Sequence, residues 1–315
     1  MIIVTGAAGF IGSNLIAALN ARGDSDIIAV DRRAADHPNL RGLRIAKYFK
    51  TDEFLDAIAR GILPEKIVAI YHQGACSDTT CDDEVCMRER NFEFPCALLD
   101  FAAPRRIPLV YASSAAVYGG AKSFTPAPEN EHPLNLYGRS KLDFDNYVRK
   151  NAARLEGTVV GLRYFNVYGP REAEKGPMAS MAYQLYRQLK TSGCARLFKG
   201  TGGWGDGEQR RDFVFVGDIV RVNLWFGEGP PRKGIFNVGT GISRSFNDMA
   251  NILIGLLGRG AIEYVPFPAK LIGRFQDCTQ ADLSALRNAG FNESFASLED
   301  GIARSVNDWD RESQT

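Results

Sequence analysis

Three glycines, Gly6, Gly9 and Gly12, constrain this chain more than any other feature. They sit in "MIIVTGAAGFIGSNLIAAL", between a β-branched run and an apolar pattern at helical spacing, and predict strand, tight turn and helix. Gly6 permits the turn, Gly9 lets the backbone approach a pyrophosphate, and Gly12 lets helix and strand pack closely. The unpaired N–H groups at the start of such a helix suit phosphates. "DIIAVD" then predicts a second strand ending at Asp31, where a carboxylate accepts the hydroxyls of an adenosine ribose and favours NAD. Arg32 and Arg33 follow at once and can clamp a 2′-phosphate, which favours NADP. On chemistry alone both cofactors stay open.

Further units alternate along the chain. "VAIYHQGACS" (68–77) predicts a strand running into a small-residue loop placed to cross a bound dinucleotide. A helical stretch from about Asp82 to Ala103 carries Asn91, and "IPLVYASSAAVYGG" predicts the next strand. This alternation predicts an α/β fold, a Rossmann doubly wound parallel sheet with ligands at the carboxyl ends of its strands. The expected division gives 1–167, with 213–240 returning to the sheet, to the dinucleotide domain. A smaller C-terminal α/β substrate lobe takes 168–212 and 241–315.

Charge and cysteine usage exclude several functions. Thirty-eight basic residues against 37 acidic leave a net charge of +1 without long basic or acidic runs, so neither nucleic acid nor an anionic membrane is an expected partner. No apolar run approaches the length of a membrane span and no secretory signal pattern precedes the first strand, so the expected location is cytoplasmic. Cys76, Cys81 and Cys86 are spaced x4 and x4, without the CxxC knuckle of a zinc site, and the three histidines are scattered. No metal site is expected, and the six thiols read as buried or incidental.

The chemistry-bearing segments are "SSAAVYGG" (113–120) and "YGRSK" (137–141). Tyr137 and Lys141 stand at i and i+4 and share one helix face. An alcohol that loses hydride must also lose a proton, and a phenol of pKa near 10 is roughly three units, or about 4 kcal/mol, too weak a base at pH 7. A cationic neighbour, here Lys141, favours the phenolate. Ser113 or Ser114, at a strand end, can hold the reacting oxygen.

In this order, the glycine motif, the serine and Tyr-x-x-x-Lys resemble the extended short-chain dehydrogenase/reductase family. That resemblance implies Ser114, Tyr137 and Lys141 as the catalytic set, with Asn91 supporting the cofactor loop. Ala115 and Ala116 stand where dehydratases of the family carry an acidic pair, and the retained Tyr/Lys pair speaks against a non-catalytic sensor. A plain dehydrogenase needs one base. An epimerase returns hydride to the other face of a ketone and gains from a second acid/base, for which Lys175 in "YFNVYGPREAEKGPMAS" (164–180) is the candidate.

"RYFNVYGPRE..KG.MAS", with "HQGACSDTT", "RRDFVFVGD", "IFNVGTG" and "TQADL", is similar to the nucleotide-sugar epimerases that act on ADP-heptose. The similarity runs from Met1 to about Trp309. It implies cofactor contacts at Phe10, Ile11, Asp31, Arg32, Gly74, Ala75, Cys76, Ser77 and Val167, and near Lys50, Lys141 and Lys175. It implies substrate contacts at Asn166, Phe198, Lys199, Gly200, Thr201 and Arg211. Pro177, Gln184 and Phe275 stand where that family has serine, histidine and tyrosine, the family's lysine after the second strand has no counterpart, and the 200–212 segment is longer. Lys199, Arg211 and Arg274 suit a diphosphate. The resemblance further implies a retained NADP (NAD remaining possible), a homo-oligomer such as a homopentamer, and a setting in lipopolysaccharide inner-core synthesis. The competing readings are a UDP-hexose 4-epimerase and a cofactor-bound protein without catalysis.

Overall fold

The structure, a computed structural model, describes residues 1–268 and 276–312. The chain begins β1 (Ile2–Thr5), α1 (Phe10–Ala21), β2 (Ile27–Asp31), β3 (Lys47–Lys50), α2 (Thr51–Ala59), β4 (Ala69–His72), α3 (Glu84–Arg88) and α4 (Phe94–Ala102). It continues β5 (Leu109–Ser114), α5 (Leu136–Asn151), β6 (Val159–Tyr164), β7 (Asn166–Tyr168), α6 (Met181–Ser192), β8 (Cys194–Phe198), β9 (Arg210–Phe215) and α7 (Val216–Glu228). The remainder is β10 (Lys233–Val238), β11 (Ser243–Ser245), α8 (Phe246–Leu257), β12 (Ala261–Val265), α9 (Ser284–Asn288) and α10 (Leu298–Glu312).

These elements divide into two compact units. The first comprises residues 1–119, 131–163 and 220–236, and the second 120–130, 164–219 and 237–315. The first unit is built on a seven-stranded sheet of order β10-β6-β5-β4-β1-β2-β3. β1 pairs in parallel with both β2 and β4, which places the reversal of strand order beside the glycine turn. Ligands of such sheets bind at that switch point. β2 is buried at all five positions and β4 at all four, as expected for strands covered on both faces. Ile3, Ile28 and Ile70 join Phe54, Leu98, Leu99 and Phe144 in one continuous core.

A buried ion network fixes α5 in this unit. Arg163, fully buried on β6, donates from Nε and Nη2 to Asp145 at 3.0 and 2.8 Å, and from Nη2 to Glu131 at 2.6 Å. Asp145, on α5, also accepts from Ser113 Oγ and Tyr111 Oη of β5. Arg149 completes a bidentate pair with Glu131.

The second unit has two small sheets, β11-β9-β7 and β12-β8, around a core of Tyr186, Leu189, Leu197, Phe213, Leu253 and Trp309. Here the structure corrects the expected boundaries. Residues 213–219 were expected to return to the large sheet, but β9 pairs in parallel with β7 through Asn166↔Phe213 and antiparallel with β11. Phe213 is buried in the second core, and that burial decides the partition. Residues 120–130 also belong to the second unit, where the Phe124 ring packs edge-on against Phe165. β10 is the late strand that does join the large sheet.

Replacing Arg163 by methionine removes the guanidinium from the buried Asp145, while Glu131 keeps Arg149. The expected loss is about 3–5 kcal/mol, read from urea unfolding at pH 7. A loss under about 1 kcal/mol would show that the network does not hold α5 to the sheet.

Candidate active site

The first unit presents a cradle for a dinucleotide. Gly6 has φ +65°, and a Cβ there would meet Gly74 N at 2.6 Å and the Gln73 carbonyl carbon at 2.7 Å. A Cβ on Gly12 would meet Gly6 O at 2.1 Å, so the helix packs onto the turn only with glycine there. Gly9 is the N-cap of α1 and supplies no capping side chain, which leaves the first-turn N–H groups available to an anion. Phe10 is buried and Ile11 half-buried where that helix starts. The donor set and the absence of side chains at the approach fit a pyrophosphate.

Asp31 is buried at the end of β2. Its Oδ2 accepts the Ala8 N–H at 2.9 Å and its Oδ1 the Arg33 N–H at 3.0 Å. The Arg33 guanidinium lies 3.9 Å from that carboxylate and Arg32 is exposed. Lys50, the cross-strand neighbour of Asp31 on β3, is also exposed.

Gly74, Ala75, Cys76 and Ser77 follow β4 as a run without regular structure. Asn91 holds it through side-chain hydrogen bonds. Its Oδ1 accepts the Cys76 N–H at 2.8 Å, while Nδ2 donates to Cys76 O at 3.0 Å and to Ser140 Oγ at 2.9 Å. Ser140 Oγ in turn donates to Tyr137 O at 2.8 Å. Asn91 stands on a π-helical turn, Glu89–Glu93, between α3 and α4, a local widening often found where a helix serves a site.

Tyr137 and Lys141 lie one turn apart on α5, whose N-cap Asn135 accepts the Gly138 N–H at 2.8 Å. The Tyr137 phenol shares a hydrogen bond with the Ser114 hydroxyl. Ser113 instead donates to the buried Asp145 at 3.0 Å. The electrostatics differ from the sequence expectation. Burial raises the phenol's pKa, opposed by the Ser114 hydrogen bond and reinforced by Cys76. Burial lowers Lys141 to about 8, opposed by Asp145, and its Nζ donates to Ala112 O at 2.9 Å. Desolvation therefore outweighs the attraction expected between ammonium and phenol in these surroundings.

The candidates of the second unit lie on two loops. Lys175 stands in the segment joining β7 to α6, where Arg171 and Gly176 have positive φ. The buried carboxylate of Glu172 fastens this segment at both ends, accepting from Gly169 N at 3.0 Å, Ser180 N at 2.6 Å and Ser180 Oγ at 2.9 Å. Burial lowers the pKa of Lys175 and the charge of Glu172 opposes that shift. Pro177 and Gln184 come together, for Gln184 Nε2 donates to Pro177 O at 3.1 Å and to Ala179 O at 2.7 Å. Asn166 is exposed and Val167 half-buried on β7.

Phe198 ends β8, and Lys199, Gly200 and Thr201 open the Gly-rich loop. A Cβ on Gly200 would meet Trp204 O at 2.1 Å. Arg211 on β9 is buried, donates to Arg210 O at 2.8 Å, and is lowered to about 10 by desolvation, opposed by Asp277. Arg274 and Phe275 lie outside the described residues.

Sequence reasoning missed four features. The Asp145–Arg163–Glu131 network and His72 depend on partners distant in sequence, and Glu172 on N–H groups that only the folded loop presents. The fourth is a cluster: the sulfurs of Cys76, Cys81 and Cys86 lie within 4.8 Å of one another. Their even spacing offered no knuckle, yet the backbone folds them together.

A family model described as the NAD dependent epimerase/dehydratase family matches residues 2–239. The chain belongs to this family. It is 53% identical over 306 residues to the ADP-L-glycero-D-manno-heptose-6-epimerase of Alkalilimnicola ehrlichii, covering 96% of this chain and 95% of that one. It is 46% identical over 321 residues to the enzyme of the same name from Thiobacillus denitrificans, covering 96% and 97%. Among solved structures, the ADP-L-glycero-D-manno-heptose-6-epimerase of Helicobacter pylori is similar with TM-score 0.84 and 31% identity, covering 97% of this chain and 95% of that chain. Among the described residues no helix is long and apolar enough to cross a membrane.

His72 gives the cradle a pH limit. Its Nδ1 lies 2.7 Å from Thr5 Oγ1, which also accepts the Gly74 N–H, and burial first and Lys141 second lower its pKa to about 3. A depressed histidine pKa means the unfolded chain binds the extra proton, so stability is present above about 6.5 and is lost as pH falls towards 3. Between pH 7 and pH 5 the contribution of this one group amounts to about 2 kcal/mol. Urea unfolding of the wild type and of His72→Phe should therefore converge as pH falls from 7 to 5. An unchanging difference would show that His72 is not the titrating group.

Proposed function

We propose that this protein converts ADP-D-glycero-β-D-manno-heptose to ADP-L-glycero-β-D-manno-heptose at C6, with a retained nicotinamide dinucleotide and two acid/base residues. The substrate rests on one observation above the others, 53% identity to a heptose 6-epimerase across 96% of this chain. Ser114 and Tyr137, joined by a hydrogen bond, and Lys141 one turn on, support the reaction type.

The dinucleotide supplies hydride acceptance and return at C6. The residues of this chain do the rest. Gly6, Gly9 and Gly12 admit the pyrophosphate, and Asn91 keeps the 74–77 run in place. The Tyr137 phenol exchanges a proton with the C6 oxygen in one orientation, and Ser114 Oγ positions that oxygen. Lys141 supports the tyrosine. Lys175 exchanges the proton in the other orientation of the sugar, and its lowered pKa suits that work. Arg211 and Lys199 bind the diphosphate, for which a buried guanidinium is well matched.

The finer assignments extend this reading. NADP is favoured over NAD by Arg32 and Arg33 beside Asp31. A homo-oligomer working in the cytoplasm, in lipopolysaccharide core synthesis, completes the proposal.

Proton NMR of ADP-D-glycero-β-D-manno-heptose incubated in deuterated water without added cofactor tests it. Conversion to the L-glycero epimer with the C6 proton kept is the expected result. Tyr137→Phe and Lys175→Met should each lower the rate by 10²-fold or more, on the order of general acid/base contributions. Deuterium at C6 would overturn internal hydride return, and turnover of UDP-galactose instead would reassign the substrate. Denaturation should release NADP; release of NAD alone would assign Asp31 the dominant role.

A further inference from the structure

We propose that Cys76, Cys81 and Cys86 form a soft-metal site, three thiolates binding one d¹⁰ cation such as Zn²⁺ with water in the fourth position. The three sulfurs come from separate pieces of backbone. Cys76 is in the run after β4, Cys81 in the connecting loop and Cys86 on α3. All three are half-buried, and their sulfurs already lie within 4.8 Å of one another. A zinc–sulfur bond of about 2.3 Å sets sulfurs about 3.8 Å apart in a tetrahedral site, so only a small contraction is needed.

The surrounding backbone holds this arrangement without the metal. Asn91 fixes Cys76 through its N–H and its carbonyl. The Cys81 N–H bonds Asp78 O at 3.3 Å, and Asp78 Oδ1 closes the intervening turn on Thr80. Asp83 Oδ1 accepts the Cys86 N–H at 2.9 Å. A disulfide would use only two of the three sulfurs and would require them to close to about 2.05 Å. Three converging thiols at this separation suit a shared cation better. On binding, each ligating thiol gives its proton to solvent and no electrons move. The site is independent of the proposed epimerase reaction, although Cys76 belongs to the run assigned to the dinucleotide.

Cobalt titration tests it on the reduced, chelator-treated protein with its dinucleotide in place, under anaerobic conditions. The expected result is one Co²⁺ per chain, with a strong near-ultraviolet thiolate-to-cobalt band and visible bands of tetrahedral cobalt, all displaced by one Zn²⁺. Cys81→Ser/Cys86→Ser should abolish the band and weaken Zn²⁺ binding more than about tenfold, since even outer partners of a metal are worth that much. Cys96→Ser/Cys194→Ser/Cys278→Ser should keep both. Variants are compared at equal cooperativity of unfolding, and Cys81→Ser alone serves if the double variant fails to fold. Absence of the band in the wild type, or its persistence in the Cys81 and Cys86 variants, would overturn the site. So would loss of two hydrogens by mass with cobalt binding blocked, the mark of a disulfide.

Discussion

The first unit depends on two backbone segments lying closer than any side chain would allow. Gly6 and the Gln73–Gly74 peptide meet at a distance where a Cβ would sit 2.6 Å from the Gly74 nitrogen. This contact joins β1 to the loop after β4 at the switch point of the sheet. It also brings the glycine turn beside the run that Asn91 fastens to α5. Thr5 Oγ1 reinforces it by accepting the Gly74 N–H while lying against the neutral His72. Strand order, the 74–77 run and α5 are thus linked through a few hydrogen bonds and the absence of two or three methyl groups.

Burial sets the electrostatics of the same unit. It pushes the Tyr137 phenol up and the Lys141 ammonium down to about 8, so neither group is tuned by its nearest partner alone. Asp145 lies between two tasks. It opposes the lowering of Lys141 and is itself held by Arg163, Ser113 and Tyr111. The buried network is therefore both a fastening of α5 and part of the field felt by Lys141. A structural ion network and a candidate catalytic pair share one carboxylate.

What the sequence made legible was what lies close along the chain. The glycine turn, Tyr137 with Lys141, and the serine at the strand end each occupy a few residues, and their chemistry follows from local geometry. Asn91 was legible through the family pattern, but its three hydrogen-bonding partners were not. The proximity of the three thiols was not legible: the x4 spacings match no knuckle motif, and the turns at Asp78 and Asp83 between them carry no such signature. Glu172 carries no local signature in the sequence. Its value lies in the N–H groups of Gly169 and Ser180, which only the folded loop presents. Phe213 misled for another reason, since an apolar strand does not state which of two sheets it will join.

The two proposed bases show two ways to hold an ionisable side chain. Tyr137 stands in the first turn of a capped helix, where backbone hydrogen bonds fix its origin and Ser114 fixes its tip. Lys175 stands on only a short 3₁₀ stretch, Ala173–Met178, broken at Gly176, and Arg171 and Gly176 have left-handed φ. What replaces the helix is a buried carboxylate. Glu172 is itself raised to about 6 by desolvation, despite accepting two N–H groups and a hydroxyl. Such a carboxylate is costly to bury, and its three acceptor bonds are what keep it in place. It orders the loop and, through its charge, limits how far burial lowers Lys175. In the proposed reaction Lys175 exchanges a proton with the sugar, and the opposition of burial and the Glu172 charge sets how readily it does so.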